Sequence, residues 1–244
     1  MKRLILINTN NNNRQMGTGF TLVELLIVLT IVAILAVATV LILNPAEILK
    51  KSRDTQRMSD VGSMKSAIGL YLSTATAPIL GGVLDDGCAD DGTAAERNIW
   101  LSYPSDTELV TDATPPATWG DAGANAWTQV TKANAGLISG AGWIPVNLTG
   151  TSGGASISNW PLDPNSNVAA VGAVTNADRM YRYACYSSAY ATAPSTFEID
   201  ANLESSYYAG SGVATNAETS DGGDNANLYE VGTNLTILPG TDTF

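Results

Sequence analysis

Twenty-four consecutive residues, Phe20 to Leu43, carry a single ionisable side chain, Glu24. At about 1.5 Å rise per residue, a helix of that length spans roughly 36 Å, enough to cross a hydrocarbon core of about 30 Å. Residues 20–43 are therefore expected to form a transmembrane helix. A secretory signal peptide fits poorly, because its apolar region is usually about 7 to 15 residues long and is followed by a small-residue cleavage site. Here the small residues Gly17 and Gly19 precede the apolar run. A cut between Gly19 and Phe20 would remove a polar leader, residues 1–19, with Lys2, Arg3, Arg14 and the run Asn10 to Asn13. It would leave the apolar helix at the new N-terminus. A lone carboxylate in hydrocarbon costs roughly 2.5 to 3.5 kcal/mol, so Glu24 marks a functional position whose partner has to be found.

The stretch Gly19-Phe20-Thr21-Leu22-Val23-Glu24-Leu25-Leu26-Ile27-Val28 resembles the class III signal of type IV pilins and type II secretion pseudopilins. The resemblance implies that a prepilin peptidase cuts after Gly19 and methylates the new terminus at Phe20. It also places Glu24 at the family's glutamate, fifth in the processed chain. In a filament, Glu24 of one subunit would pair with the Phe20 ammonium of a neighbour, removing two isolated charges from an apolar core at once. Thr18 stands where the family often has a basic residue. The partners implied are identical or related pilin subunits, the peptidase, a pilus or secretion assembly platform and, before assembly, the lipid bilayer. The implied location is the cytoplasmic membrane, N-terminus in the cytoplasm, and then an extracytoplasmic or cell-surface filament. The alternative is a signal anchor holding a monomeric extracytoplasmic domain that binds sugar or calcium. Flanking charge does not choose the orientation, since Lys2, Arg3 and Arg14 on one side face Lys50, Lys51, Arg53 and Arg57 on the other.

Beyond the apolar run, Asn44-Pro45-Ala46-Glu47 reads as an N-cap, a proline at the first helical position and an acid three residues past the cap, the pattern of a capping box. Met58, Val61, Met64 or Lys65, Ile68 and Leu72 then recur every three or four residues, with Arg57, Asp60, Ser63 and Ser66 between them. Residues 44–77 are read as an amphipathic continuation of the helix, ending near Ser73 to Ala77 before Pro78 and Gly81-Gly82. Residues 78–244 read as a β-rich exported domain. Candidate strands are Asn98 to Tyr103, Trp127 to Lys132, Trp143 to Leu148, Met180 to Ser187, Thr196 to Leu203 and Leu235 to Leu238. Phe197, Ile199 and Ala201 alternate with Glu198, Asp200 and Asn202, as in a half-buried strand. The fold class expected is α+β: a long N-terminal helix, transmembrane half plus amphipathic half, packed on an antiparallel sheet in a pilin-like arrangement. Polar stretches 104–126, 149–178 and 205–227 are left as long loops.

Charge divides the chain. Residues 1–57 carry seven Lys/Arg against Glu24, Glu47 and Asp54, net +4, and the remainder carries five against twenty, net −15. An acidic domain repels phosphate backbones, so no nucleic-acid partner is expected for it. The basic collar just past the apolar run is suited to lipid head groups or to acidic domains of neighbouring subunits, and equally to a solvated helix face. The chain has no histidine, which removes the commonest general base and most zinc sites, and no phosphate-binding glycine loop follows a strand. No catalytic residues are assigned and no enzymatic activity is expected. The five tryptophans suit core and turn packing better than a sugar-binding face.

Cys88 and Cys185 both lie on the exported side. Paired, they would close a loop of about 98 residues, worth roughly 4 to 5 kcal/mol in the chain-entropy treatment; unpaired, Cys185 is a small buried hydrophobe. Two acidic clusters have the oxygen ligands that calcium takes, Asp85, Asp86, Asp90 and Asp91, and separately Glu218, Asp221 and Asp224. The second resembles the acidic, glycine-rich C-terminal loop by which some pseudopilins bind calcium. Solvated turn residues are the competing reading of both.

Overall fold

The computed structural model describes residues 19–82, 88, 98–103, 126–166, 177–186, 194–210, 212, 214–238 and 240. Contacts divide the chain into two units, Met1–Pro45 and Ala46–Phe244.

The first unit is built on helix α1, Leu22–Leu43. Its large apolar side chains are exposed on every side, from Ile42 at 82 % to Val28 at 50 %. A helix apolar all round and exposed along its length suits hydrocarbon or other helices, not water. Its hydroxyls are consistent with that setting. Thr30 Oγ1 donates to the carbonyl of Ile27 at 2.7 Å, and Thr39 Oγ1 donates to the carbonyls of Leu35 and Ala36. Neither hydroxyl proton is left to solvate in an apolar environment. The helix stops at Asn44, which adopts a left-handed backbone with φ 39°, one of the few side-chain-bearing residues for which that conformation is cheap.

Helix α2, Pro45–Thr74, runs into the second unit from the boundary, proline occupying the first helical position where its missing N–H costs nothing. The buried positions are Asp54, Arg57, Val61, Met64, Ala67, Ile68 and Tyr71. The sequence pattern placed this stripe on Met58 and Leu72 and put Arg57 among the polar positions; the observed stripe is rotated and runs on into two buried charges. The expected capping box is not formed either. Glu47 accepts from the backbone N–H and hydroxyl of Ser206 instead of from Asn44.

Among the described residues, five strands form one sheet in the order β2-β1-β3-β4-β5: β1 Asn98–Leu101, β2 Ala126–Thr128, β3 Tyr181–Tyr186, β4 Thr196–Ala201 and β5 Tyr229–Gly232. The run β1-β3-β4-β5 is antiparallel, and short β2 adds to the edge in parallel with β1. This is the α+β arrangement of a long N-terminal helix on an antiparallel sheet. Tyr181, Tyr183, Cys185, Phe197, Ile199, Ala201 and Val231 point to one face, where they share a core with Val61, Met64, Ile68 and Tyr71 of α2. The opposite face is covered as well: Ile99, Leu101, Met180 and Ala184 pack with Leu228, Ile237 and Leu238. Gly232 permits the β4–β5 approach, since a Cβ there would collide with the carbonyl oxygen of Phe197.

Two candidate strands are not strands. Trp143 to Leu148 forms a loop with one isolated bridge, Ser139 to Asn147, because Gly140 turns at φ +86° and Gly142 lies against the carbonyl of Leu137. Its Trp143, Ile144, Val146 and Leu148 still enter the core. Leu235 to Leu238 runs as bends over the second face, and the last strand is Tyr229–Gly232 instead. Cys88 is joined to Cys185 of β3 by a disulfide with Cα atoms 4.8 Å apart across 97 residues of sequence. In the chain-entropy treatment a loop of that length stabilises by about 4.7 kcal/mol.

Candidate functional site

Three groups of residues carry the chemistry: the start of α1, the buried ion network on α2, and the acidic turns before β5.

At the start of α1, Thr21 is the N-cap. Its hydroxyl accepts from the Glu24 N–H at 3.2 Å, and Glu24 Oε2 accepts from the Thr21 N–H at 2.9 Å and the Thr21 hydroxyl at 2.7 Å. This reciprocal capping box satisfies two helix-terminal donors and sets the carboxylate at the positive end of the helix dipole. Glu24 thus has a partner within its own chain, in the first turn of the helix and not at mid-span. Gly19 and Phe20 precede the helix in exposed, non-helical backbone, open to an enzyme that must bind the chain around the bond between them.

The basic collar is largely consumed inside the globular unit. The fully buried Arg57 guanidinium donates to Asp163 through Nε at 2.7 Å and Nη2 at 3.0 Å, to Asp54 at 2.8 Å and to Glu204 at 2.8 Å. Arg53 adds a two-pronged contact to Glu204 at 2.6 and 2.9 Å. Asp54 also accepts from the N–H groups of Glu204 and Ser205. The hydrogen bonds and charge of Arg53 and Arg57 hold the Glu204 carboxyl down to about 2. Lys51 lies 3.4 Å from the centre of the Tyr207 ring, a cation–π contact. One step along α2, Asp60 accepts from the Tyr181 hydroxyl at 2.9 Å. The sequence gives no direct sign of this network, because its carboxylates come from positions up to about 150 residues away. The spacing of Asp54, Arg57 and Val61 on one helical face is the only local hint.

The acidic residues proposed for calcium divide between two fates. Asp85, Asp86, Asp90 and Asp91 lie outside the described residues. Glu218, Asp221 and Asp224 do not converge, and among the described residues no set of three acidic or cysteine side chains could hold a metal. The physical reason is that their carboxylates serve the backbone. Glu218 accepts from Leu203 N–H at 3.3 Å, Asp221 from Glu230 N–H at 2.7 Å and Gly223 N–H at 3.0 Å, and Asp224 packs against Gly240. Burial pushes Glu218 up to about 7 and raises Asp221.

Residues 17–40 match the family model of the prokaryotic N-terminal methylation motif. The chain carries the class III signal of type IV pilins and pseudopilins. The methylation motif begins before the Gly19-Phe20 bond and ends within α1, so it covers that bond and most of the helix that follows, and none of the globular unit. It is the signature of pilin-like precursors that a prepilin peptidase processes, and the apolar helix that follows is long and apolar enough to cross a membrane. Comparisons with curated proteins and with solved structures give no match.

Proposed function

We propose that the processed chain, beginning at Phe20, is a structural subunit of a type IV pilus-like or pseudopilus filament, assembled through α1, and that it does no catalysis. One observation carries this reading. The methylation motif leads into a helix whose apolar surface is entirely uncovered, whereas the sheet of the globular unit is covered on both faces. Such a helix trades lipid for neighbouring helices when a filament forms, and repetition of that contact is heterologous and open-ended. Glu24, already at the helix N-terminus, would then accept the Phe20 ammonium of the next subunit. Before assembly the chain would sit in the cytoplasmic membrane with the globular unit outside, where the disulfide is stable.

Processing is tested by Gly19→Val. No atom lies within 4 Å of the Cβ that position 19 would gain, so the substitution disturbs no packing in the folded chain. With a prepilin peptidase present, the wild type should lose its first 19 residues and gain a methyl group by intact mass. G19V should remain full-length. A wild type left uncut, or cut after α1, would contradict the reading.

A further inference from the structure

On the face of the sheet away from α2, β4 and β5 bring three carboxyl side chains under cover: Glu198 and Asp200 at 0 % exposure and Glu230 at 1 %. Arg182 of β3 donates to Asp200 Oδ1 at 2.9 Å and is, among the described residues, the one cation bonded to the three. The carboxyls hold the cover of this face. Glu198 Oε2 accepts from the N–H groups of Ile237 and Leu238 at 2.7 and 2.8 Å, and Glu230 Oε2 accepts from Asn225 N–H at 3.0 Å. Among the described residues, the remaining oxygens, Glu198 Oε1 and Glu230 Oε1, meet no N–H or O–H donor. Glu198 lies opposite Gly232 on the paired strands, so Glu230 is its diagonal neighbour on the same face, a separation that long side chains can bridge. Two ionised carboxylates in that position would be mutually repelling and unsatisfied. One proton between them satisfies both oxygens and removes one negative charge from a buried group of three.

We propose that Glu198 and Glu230 share a proton and form a latch that holds the C-terminal segment 234–238 on the sheet, and that loss of this proton as pH rises releases the segment. Titratable and charged groups on the surrounding elements are Arg182 and Tyr186 on β3, the buried Asp178 just before it, Tyr103 after β1, Asp200 on β4, and Asp221 and Asp224 in the turn before β5. Among the described residues, β1 and segment 234–238 offer none. Burial raises both glutamates above the ordinary value of 4.5, and the charge of Asp200 adds to the shift in each. A carboxyl that keeps its proton when folded favours the closed state at low pH, and that advantage falls about tenfold per pH unit as the pH climbs from the ordinary toward the raised value. Glu204 works in the opposite direction but only at acid pH, since its value lies at about 2. Gly223 belongs to the latch, because a Cβ there would collide with Glu230 Oε2.

Hydrogen exchange of the peptide containing Ile237 and Leu238 tests the latch, using the full chain in detergent micelles with the disulfide intact and correcting for the intrinsic pH dependence of exchange. Wild-type protection should fall between about pH 6 and pH 8, by about tenfold per pH unit, because over that range the closed state still holds the proton and the open state gives it up. Glu230→Gln, which keeps a hydrogen bond to Glu198 without a titrating proton, should flatten that dependence. Constant protection in the wild type, or an equal fall in E230Q, overturns the proposal. Should E230Q fail to fold, the wild type carries the test by infrared spectroscopy. A protonated-carboxyl band persisting at about pH 8, above the titration of Glu218 at about 7, is expected, and its absence overturns the latch.

Discussion

Arg57→Met should destabilise the globular unit by about 3 to 5 kcal/mol, measured by urea unfolding of the full chain in detergent with tryptophan fluorescence as the signal. Methionine fills much of the volume of the arginine stem, so the loss is electrostatic and not a cavity. The bidentate contact to Asp163 disappears, and Asp54 and Glu204 each lose a donor, in a site where Arg57 and Asp54 have no exposed side-chain surface. Removing one partner from a buried ion group costs far more than the group contributes relative to apolar side chains, because uncompensated charge is left behind. Arg57→Lys should recover only part of the loss, since an ammonium cannot reproduce the planar fork that reaches three carboxylates. Arg53→Ala gives the contrast. Arg53 is 29 % exposed and Glu204 keeps Arg57, so a cost below about 1 kcal/mol is expected. Equal effects at positions 53 and 57 would show that the network is not the buried anchor described above.

Glu24→Ala should abolish filaments while leaving the chain inserted and folded. The capping box accounts for only part of this change, since losing a cap costs about 0.5 to 2 kcal/mol of helix stability, small for a helix held by lipid along its length. The greater penalty arises on assembly. A Phe20 ammonium carried into an apolar core without its counter-charge costs about 3 to 5 kcal/mol per interface, two to three orders of magnitude or more in each subunit addition. Glu24→Gln separates the two roles. Glutamine still accepts from the Thr21 N–H, as capping boxes allow, but cannot neutralise an ammonium. Filament yield should therefore fall as far in E24Q as in E24A, counted by electron microscopy of sheared material against membrane-bound subunit. Normal filaments from E24Q would reduce Glu24 to a cap.

What was legible in the sequence follows from range. The apolar run from Phe20 to Leu43 is local, so its length was enough to read it, and the signal around Gly19 is a short local motif legible through its resemblance to the pilin signal. The alternation of Phe197, Ile199 and Ala201 correctly assigned one face of β4 to the core. The same pattern misled about the other face. Glu198 and Asp200 read as solvated, yet both are buried, because a segment some forty residues later folds over them and supplies backbone donors. Arg57 was misplaced for a related reason. Its partners Asp163 and Glu204 are remote in sequence, and a helical period scored on apolar residues cannot register a buried charge that is paired across the fold. Trp143 to Leu148 supplied apolar content suited to a strand, but Gly140 and Gly142 just before it bent the chain into a core-filling loop. Glu218, Asp221 and Asp224, read from the sequence as oxygen ligands, do not come together among the described residues: Glu218 and Asp221 are held by backbone N–H groups and Asp224 is packed against Gly240.

Filament assembly of the processed chain is decided by its N-terminal sequence and mass in filaments sheared from cells that produce it. The expected result is a chain beginning at N-methylated Phe20, with the disulfide intact, as a component of the filament. A chain that retains residues 1–19 and stays wholly in the membrane fraction as a monomer would contradict both the processing and the role proposed for Glu24.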